Sequence, residues 1–344
     1  MIKKMIETEK AVGKLICHDI TKIEKGEFKG ALFKKGHRIR PEDVNTLLDI
    51  GKKHVYTLQL EEGELHEDDA GIRLAEALAG RGLHVGKPAE GRLDLTAEHS
   101  GLFRVDIERL HRLNSIQDVV VATLHNNSPL AEGEKVAGAK VIPLVVKEET
   151  LVEVENICSE GDAPLQVIPY NNYKIGAIIT GMEIAEGRIK DGFAPVLEDK
   201  TRHYGQEKPL VQFAGDDVEE ISFKINHLLA EGCNMIVTTG GMSVDPDDVT
   251  PSAIKESGAE IIKYGAPALP GAMFLLAYRG DIPIIGLPAC AMYFQNTVLD
   301  VLLPRLLVGE KVTASEIAAL GHGGLCRRCE TCFFPRCSFG KSSF

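Results

Sequence analysis

Residues 233–258 read CNMIVTTGGMSVDPDDVTPSAIKESG, and the fold turns on how this stretch is parsed. It opens as an apolar run, turns at Gly240 and Gly241, and closes on a helical segment with Thr250 as N-cap and Pro251 at the first helical position. The same alternation extends outward on both sides. KIGAIIT runs into Gly181 and Glu183 and then a helix with Asp191 just before its start. DDVEEISFKINHLLAEG carries Val218, Ile221, Ile225, Leu228 and Leu229 at helical spacing, AEIIKYG is a further apolar run, and IPIIGLPA enters CAMYFQNTVLDVLLPRLL. Strands alternating with helices from Tyr173 onward imply an α/β fold, a parallel sheet covered by helices on both faces in three layers. In such sheets ligands sit outside the carboxyl ends of the strands.

Those strand ends carry the residues that chemistry needs. Glycines without a Cβ let backbone N–H groups approach a ligand, and a helix N-terminus presents roughly half a positive charge to an anion. Together they point to a phosphate pocket. Asp245, Asp247 and Asp248 fall within one short turn beside it. An acidic turn or helix-start charge bias explains one or two of them. Mg²⁺ bridging a carboxylate and a ligand phosphate explains their placement beside an anion site.

The N-terminal part, residues 1–165, has short β-rich pieces (AVGKLICHDIT, KHVYTLQL, DVVVATL, AKVIPLVV) punctuated by glycines, and reads as a small barrel or sandwich with inserted helices. HEDDAGIRLAEALAG is its one convincing amphipathic helix, and LAEGEKVAGAKVIPL has a hairpin pattern. Gly, Pro, Asn and charge in CSEGDAPLQVIPYNNY mark a linker near residues 158–172. The chain has 344 residues with 39 Lys+Arg against 50 Asp+Glu, a net charge of −11. That balance argues against nonspecific nucleic-acid or anionic-membrane binding. The N-terminus lacks the apolar stretch of a signal peptide, and the most apolar segment is broken by prolines, Gln295, Asn296 and Asp300, so a cytoplasmic protein is expected.

With these residues in place, 238–277 (TTGGMSVDPDDVTPSAIKESGAEIIKYGAPALPGAMFLLA), the preceding ITGMEIAEGRIKDGFAPVLEDKTRHYG and the following IPIIGLPACAMYFQNTVLDVLLPRLL resemble the molybdopterin-binding domain of molybdenum cofactor biosynthesis. That domain occurs in molybdopterin adenylyltransferases and molybdenumtransferases, and the resemblance covers about residues 170–310. It implies binding of the dithiolene pterin phosphate at the strand ends with Mg²⁺. By motif, Gly181 and Glu183 fall in a T-G-x-E turn, Asp191 on the following acidic position, and Gly240, Gly241 and Ser243 in the Gly-rich loop. Asp248 matches the metal-associated aspartate, Pro270 and Gly271 a Pro-Gly turn, and Gly286, Leu287 and Pro288 the third loop. Asp216 and Asp217 lie where acidic residues precede a helix, a placement that helix capping explains equally well. Residues 1–165 resemble, more weakly, the β-rich companion region of molybdenumtransferases.

The chain departs from the pattern in four places. L-P-G-N-P is replaced by Leu287-Pro288-Ala289-Cys290-Ala291, a Gly after S-V by Asp245, the lysine after the Pro-Gly turn by Ala272 and Met273, and D-G-Y-A is absent. Losing a phosphate-pairing lysine weakens anion binding by ~1–2 kcal/mol where the group is in contact.

Residues 320–344 form a separate cysteine-rich tail. Cys326, Cys329, Cys332 and Cys337 are spaced as four thiolates that can close a Zn²⁺ site or hold an iron–sulfur cluster, and Arg327, Arg328, Arg336 and Lys341 outnumber Glu330 around them. The functional expectation is Mg²⁺-dependent molybdenum insertion into adenylylated molybdopterin, with Asp191 and Asp248 catalytic and molybdate as a further substrate. Alternatives are adenylyl transfer or a noncatalytic molybdopterin carrier or sensor whose tail docks a molybdoenzyme. A homo-oligomer is also expected.

Overall fold

The computed structural model describes residues 2–24, 28–89, 91–182, 188, 191–242, 245 and 248–341. The chain divides into two units, one made of residues 1–96, 108–123 and 135–164, the other of 97–107, 124–134 and 165–344.

In the second unit, six described strands form one sheet in the order Leu210–Ala214, Ile175–Thr180, Met235–Thr239, Ile282–Leu287, Leu275–Arg279, Glu260–Tyr264. The first four are parallel, while Leu275–Arg279 runs antiparallel to both its neighbours. The sequence reading missed this strand, which Gly280, at φ +63°, joins to Ile282 by a tight return. It also missed Leu210–Ala214, an edge strand whose half-exposed residues blur the pattern.

Both faces of the sheet are covered. Ile175, Ala177, Ile179, Met235 and Val237 pack in one core with helices Phe193–Arg202 and Val298–Leu307. Their neighbours Ile178 and Ile236 point the other way, against Ile221, Ile225 and Leu228 of helix Val218–Ala230 and Ala253 and Ile254 of helix Thr250–Glu256. This two-sided burial is why the strands read as continuous apolar runs. The strand Ile282–Leu287 does not lead straight into its helix. Ala289–Met292 makes a short 3-10 turn, and the helix restarts at Val298 behind a capping box of Thr297 and Asp300.

Leu165–Pro169, expected within a linker, is a strand paired to Gly101–Val105, which also pairs with Ser128–Leu130. Residues 320–341 fold back onto this unit. Leu269 donates its N–H to the Gly324 carbonyl at 2.7 Å, Cys326 donates to the Leu269 carbonyl at 2.8 Å, and Phe339 is 3% exposed within the core.

Among the described residues of the first unit, strands group into four small sheets of two to four strands, with helices Asp43–Asp49, Glu67–Leu78 and Glu148–Cys158. The proposed hairpin of residues 130–144 is absent among these pairings, since Ser128–Leu130 and Lys135–Val141 belong to different sheets. Arg73 joins two helices by ion pairs with Glu148 and Glu155 at 2.8 and 2.7 Å. The sequence reading found only Glu67–Leu78, because the other helices are short or carry charge across their apolar stripe.

Candidate functional site

Three parallel strand ends are knitted together by threonines. Thr180 donates its hydroxyl to the Thr239 carbonyl at 3.0 Å, and Thr238 donates to Ile285 at 3.1 Å. Thr250 donates to the Gly240 carbonyl at 2.9 Å. Thr250 is therefore not the N-cap of its helix. It is the first helical residue, behind Val249, and its hydroxyl ties the helix to the glycine turn.

The glycine pair is required by geometry. Gly240 has φ +87°, and a Cβ there would stand 2.6 Å from the Thr180 hydroxyl and 2.7 Å from its carbonyl oxygen. At Gly241, φ +56°, a Cβ would meet the Thr250 hydroxyl at 2.6 Å. Side chains are thus excluded twice in succession, by the left-handed backbone and by contact.

A groove of about 460 Å³ opens at these ends, lined by Gly240, Gly241, Asp248, Pro270, Gly271 and Pro288 together with Cys290 and Arg328. Six of the residues singled out in the sequence are brought together here. Asp248 is its one carboxylate among the described lining residues, and it accepts the Asp245 N–H at 2.9 Å. Tyr264 donates to the Met242 carbonyl at 3.1 Å, and burial, reinforced by the nearby Asp248 carboxylate, pushes its phenol above the ordinary range. Burial also raises the Cys290 thiol, against the opposing hydrogen bonds of its own and the Gly271 backbone.

Other predicted residues are placed elsewhere. Asp191 caps a helix, accepting from the Phe193 and Ala194 N–H groups at 2.7 and 3.1 Å, and does not line the groove. Asp217 likewise caps Val218–Ala230 through the Glu220 N–H. Gly286 is buried within its strand, where a Cβ would meet the Met242 sulfur at 2.8 Å. Gly181 is buried and donates to the Ala214 carbonyl at 3.1 Å. Glu183, Ser243 and Asp247 lie outside the described residues.

The four tail cysteines are free thiols lining one hollow of about 290 Å³, with the Asn296 side-chain amide 2.7 Å from the Cys332 sulfur. Among the described residues, no three His, Cys, Asp or Glu side chains converge closely enough to hold a metal ion. The tail as folded therefore does not fit a single bound Zn²⁺. A lone groove carboxylate is still a suitable partner for Mg²⁺, which takes one or two carboxylates and completes its shell with water and ligand phosphate. No described helix is long and apolar enough to cross a membrane.

Sequence reasoning missed three residues. Thr239 has a buried hydroxyl with no partner among the described residues, Tyr264 stands beside Asp248, and Arg328 reaches the groove from the tail. Only Thr239 had a signal, as the residue before the glycine pair.

Residues 176–308 match the family described as probable molybdopterin binding domain. The matched span takes in the parallel strands whose ends build the groove. Residues 5–59 match a domain of unknown function. CinA-like proteins are similar over 90 residues, at 33% identity in Mycobacterium sp. (strain JLS) and 29% in Mycobacterium tuberculosis (strain ATCC 25177 / H37Ra). Each match takes in 26% of this chain and 21% of the relative, so the chain spans about a fifth of these relatives' length. Among solved structures, the molybdopterin biosynthesis enzyme MoaB from Thermus thermophilus is 21% identical, covers 40% of this chain and 98% of its own, and has a TM-score of 0.34. CinA from Thermoplasma acidophilum is 18% identical, covers 39% and 97%, and has a TM-score of 0.32.

Proposed function

We propose that the strand-end groove binds molybdopterin or its adenylylated form, and that the protein acts in molybdenum cofactor biosynthesis as a molybdenumtransferase-like enzyme. The single observation that carries this reading is the convergence of Gly240, Gly241, Asp248, Pro270, Gly271 and Pro288 on one groove within the matched domain. Backbone around the glycine pair comes close to a phosphate because no side chain stands in the way. Asp248 is the residue that would hold Mg²⁺, which when bound would supply charge neutralisation for the phosphate. Molybdate is the second substrate, and the product passes to a molybdoenzyme.

A noncatalytic carrier is the second reading, favoured by one observation: both Asp191 oxygens are engaged as a helix cap, which leaves the groove with a single described carboxylate. Turnover separates the two. Purified protein with Mg²⁺, molybdate and adenylylated molybdopterin releases AMP under the first reading, and binds pterin without AMP release under the second.

A further inference from the structure

A phosphate in this groove would call for a cation, and among the described lining residues the strand-end loops supply none. The turn after Pro270 and Gly271 continues with Ala272 and Met273, and no described lysine lines the groove. The one cationic side chain among the described lining residues is Arg328, which belongs to the cysteine-rich segment.

Several features fix it there. Leu325 forms a parallel bridge with Leu269, immediately before Pro270 and Gly271, through the two backbone hydrogen bonds flanking it. Phe339 buries in the domain core, and the Gly340 N–H bonds the Gly323 carbonyl at 3.0 Å, closing the segment on itself. The Arg328 guanidinium stands 5.0 Å from the centre of the Phe294 ring, a stacking that restricts its flexible stem. Its backbone is at φ +52°, in the left-handed region that non-glycine residues rarely adopt and that recurs where a site is held under strain. No described carboxylate pairs with it, so its charge is available to a ligand.

We propose that Arg328 is the phosphate-pairing cation of this groove, delivered by the cysteine-rich segment where the turn after Pro270 and Gly271 carries no lysine. The proposal rests on the groove being a molybdopterin site and names the residue that recognises the ligand's phosphate. A guanidinium forks onto two phosphate oxygens with parallel N–H donors, so it can replace a lysine with a gain in orientation. It also makes binding depend on the docked segment, because undocking Phe339 carries Arg328 away.

The test is a titration of the full chain with anaerobically prepared molybdopterin and, separately, inorganic pyrophosphate, at two salt concentrations. Arg328→Gln is expected to weaken both by ~10- to 100-fold and to flatten the salt dependence, with part of the loss recovered in Arg328→Lys. Phe339→Ala, with far-UV circular dichroism unchanged, is expected to reproduce the Arg328→Gln loss, and the double variant to be no weaker than either single one. Binding of both probes by Arg328→Gln within twofold of the parent, with the same salt slope, overturns the proposal. Pyrophosphate binding that depends on Arg328 without any molybdopterin binding keeps the cation and removes the pterin reading. A parent protein that binds neither probe removes both.

Discussion

The strand-end groove and the cysteine segment share Phe294 and Arg328 in their linings, yet they are held in place by different means. The groove is set by backbone: two left-handed glycines, threonine hydroxyls bridging neighbouring strands, and a sheet buried on both faces. The segment is set by a few anchors: one bridge at Leu269 and Leu325, and one buried ring, Phe339. Changes to the glycine turn should therefore act on fold and binding together, whereas changes to lining side chains of the groove and segment, such as Asp248 and Arg328, should act on binding alone.

The largest effect is expected at Gly240. Gly240→Val puts a branched Cβ into Thr180 at 2.6 Å on a left-handed backbone, and should destabilise by roughly 3 kcal/mol or more while abolishing pterin binding. Urea unfolding and titration measure both. A stable variant that still binds would mean that the groove is not backbone-defined. Next, Asp248→Asn keeps the turn shape but removes the groove's carboxylate, and should reduce Mg²⁺-dependent binding or turnover by about an order of magnitude without lowering stability. Unchanged Mg²⁺ dependence would place the metal elsewhere.

How far these regions were legible beforehand follows from the range of the forces involved. The glycine pair could be read because a strand, a turn and a helix start follow one another locally, whereas Asp248 among its acidic neighbours, Pro270 and Pro288 were assigned through the family resemblance. The roles of Asp191 and Thr250 could be placed but not resolved, since a carboxylate before a helix serves a ligand or a cap with the same sequence. Only the structure shows Asp191 accepting two N–H groups and Thr250 bonding back to Gly240. Arg328 was read as part of a basic tail, because its path to the groove is set by a bridge between residues far apart in the chain. The return of residues 97–107 and 124–134 to the second unit was equally hidden, being a matter of which strands pair.

Thiol chemistry sharpens the comparison with a smaller effect. In metal-free protein, the exposed Cys329 and Cys332 should react fastest with a disulfide reagent. Cys158, pushed up to about 11 by burial, and Cys233, also raised by burial, should lag by at least an order of magnitude at pH 8. Added zinc or iron that protects all four tail thiols together would mean that the hollow closes around metal, an arrangement the described side chains do not make.

The smallest effect concerns pH. Burial works to raise the Glu316 carboxyl, but the Thr313 hydroxyl and N–H and the Arg305 guanidinium hold it below the ordinary range overall. Because the folded value is the lower one, this contribution is present above the unfolded value of about 4.3 and is lost as pH falls through the folded value. Parent and Glu316→Gln melting temperatures should therefore differ at pH 7 and converge in acid. A gap that persists below pH 3 would mean that the contribution is packing, not charge.

The central claim is that the three strand ends and the returning segment form one ligand site. Hydrogen–deuterium exchange with and without molybdopterin tests it most directly. The account predicts ligand-induced protection at residues 238–242, 269–273, 287–290 and 325–329, with residues 5–59 unchanged. Protection confined to other segments, or none at saturating ligand, would contradict it.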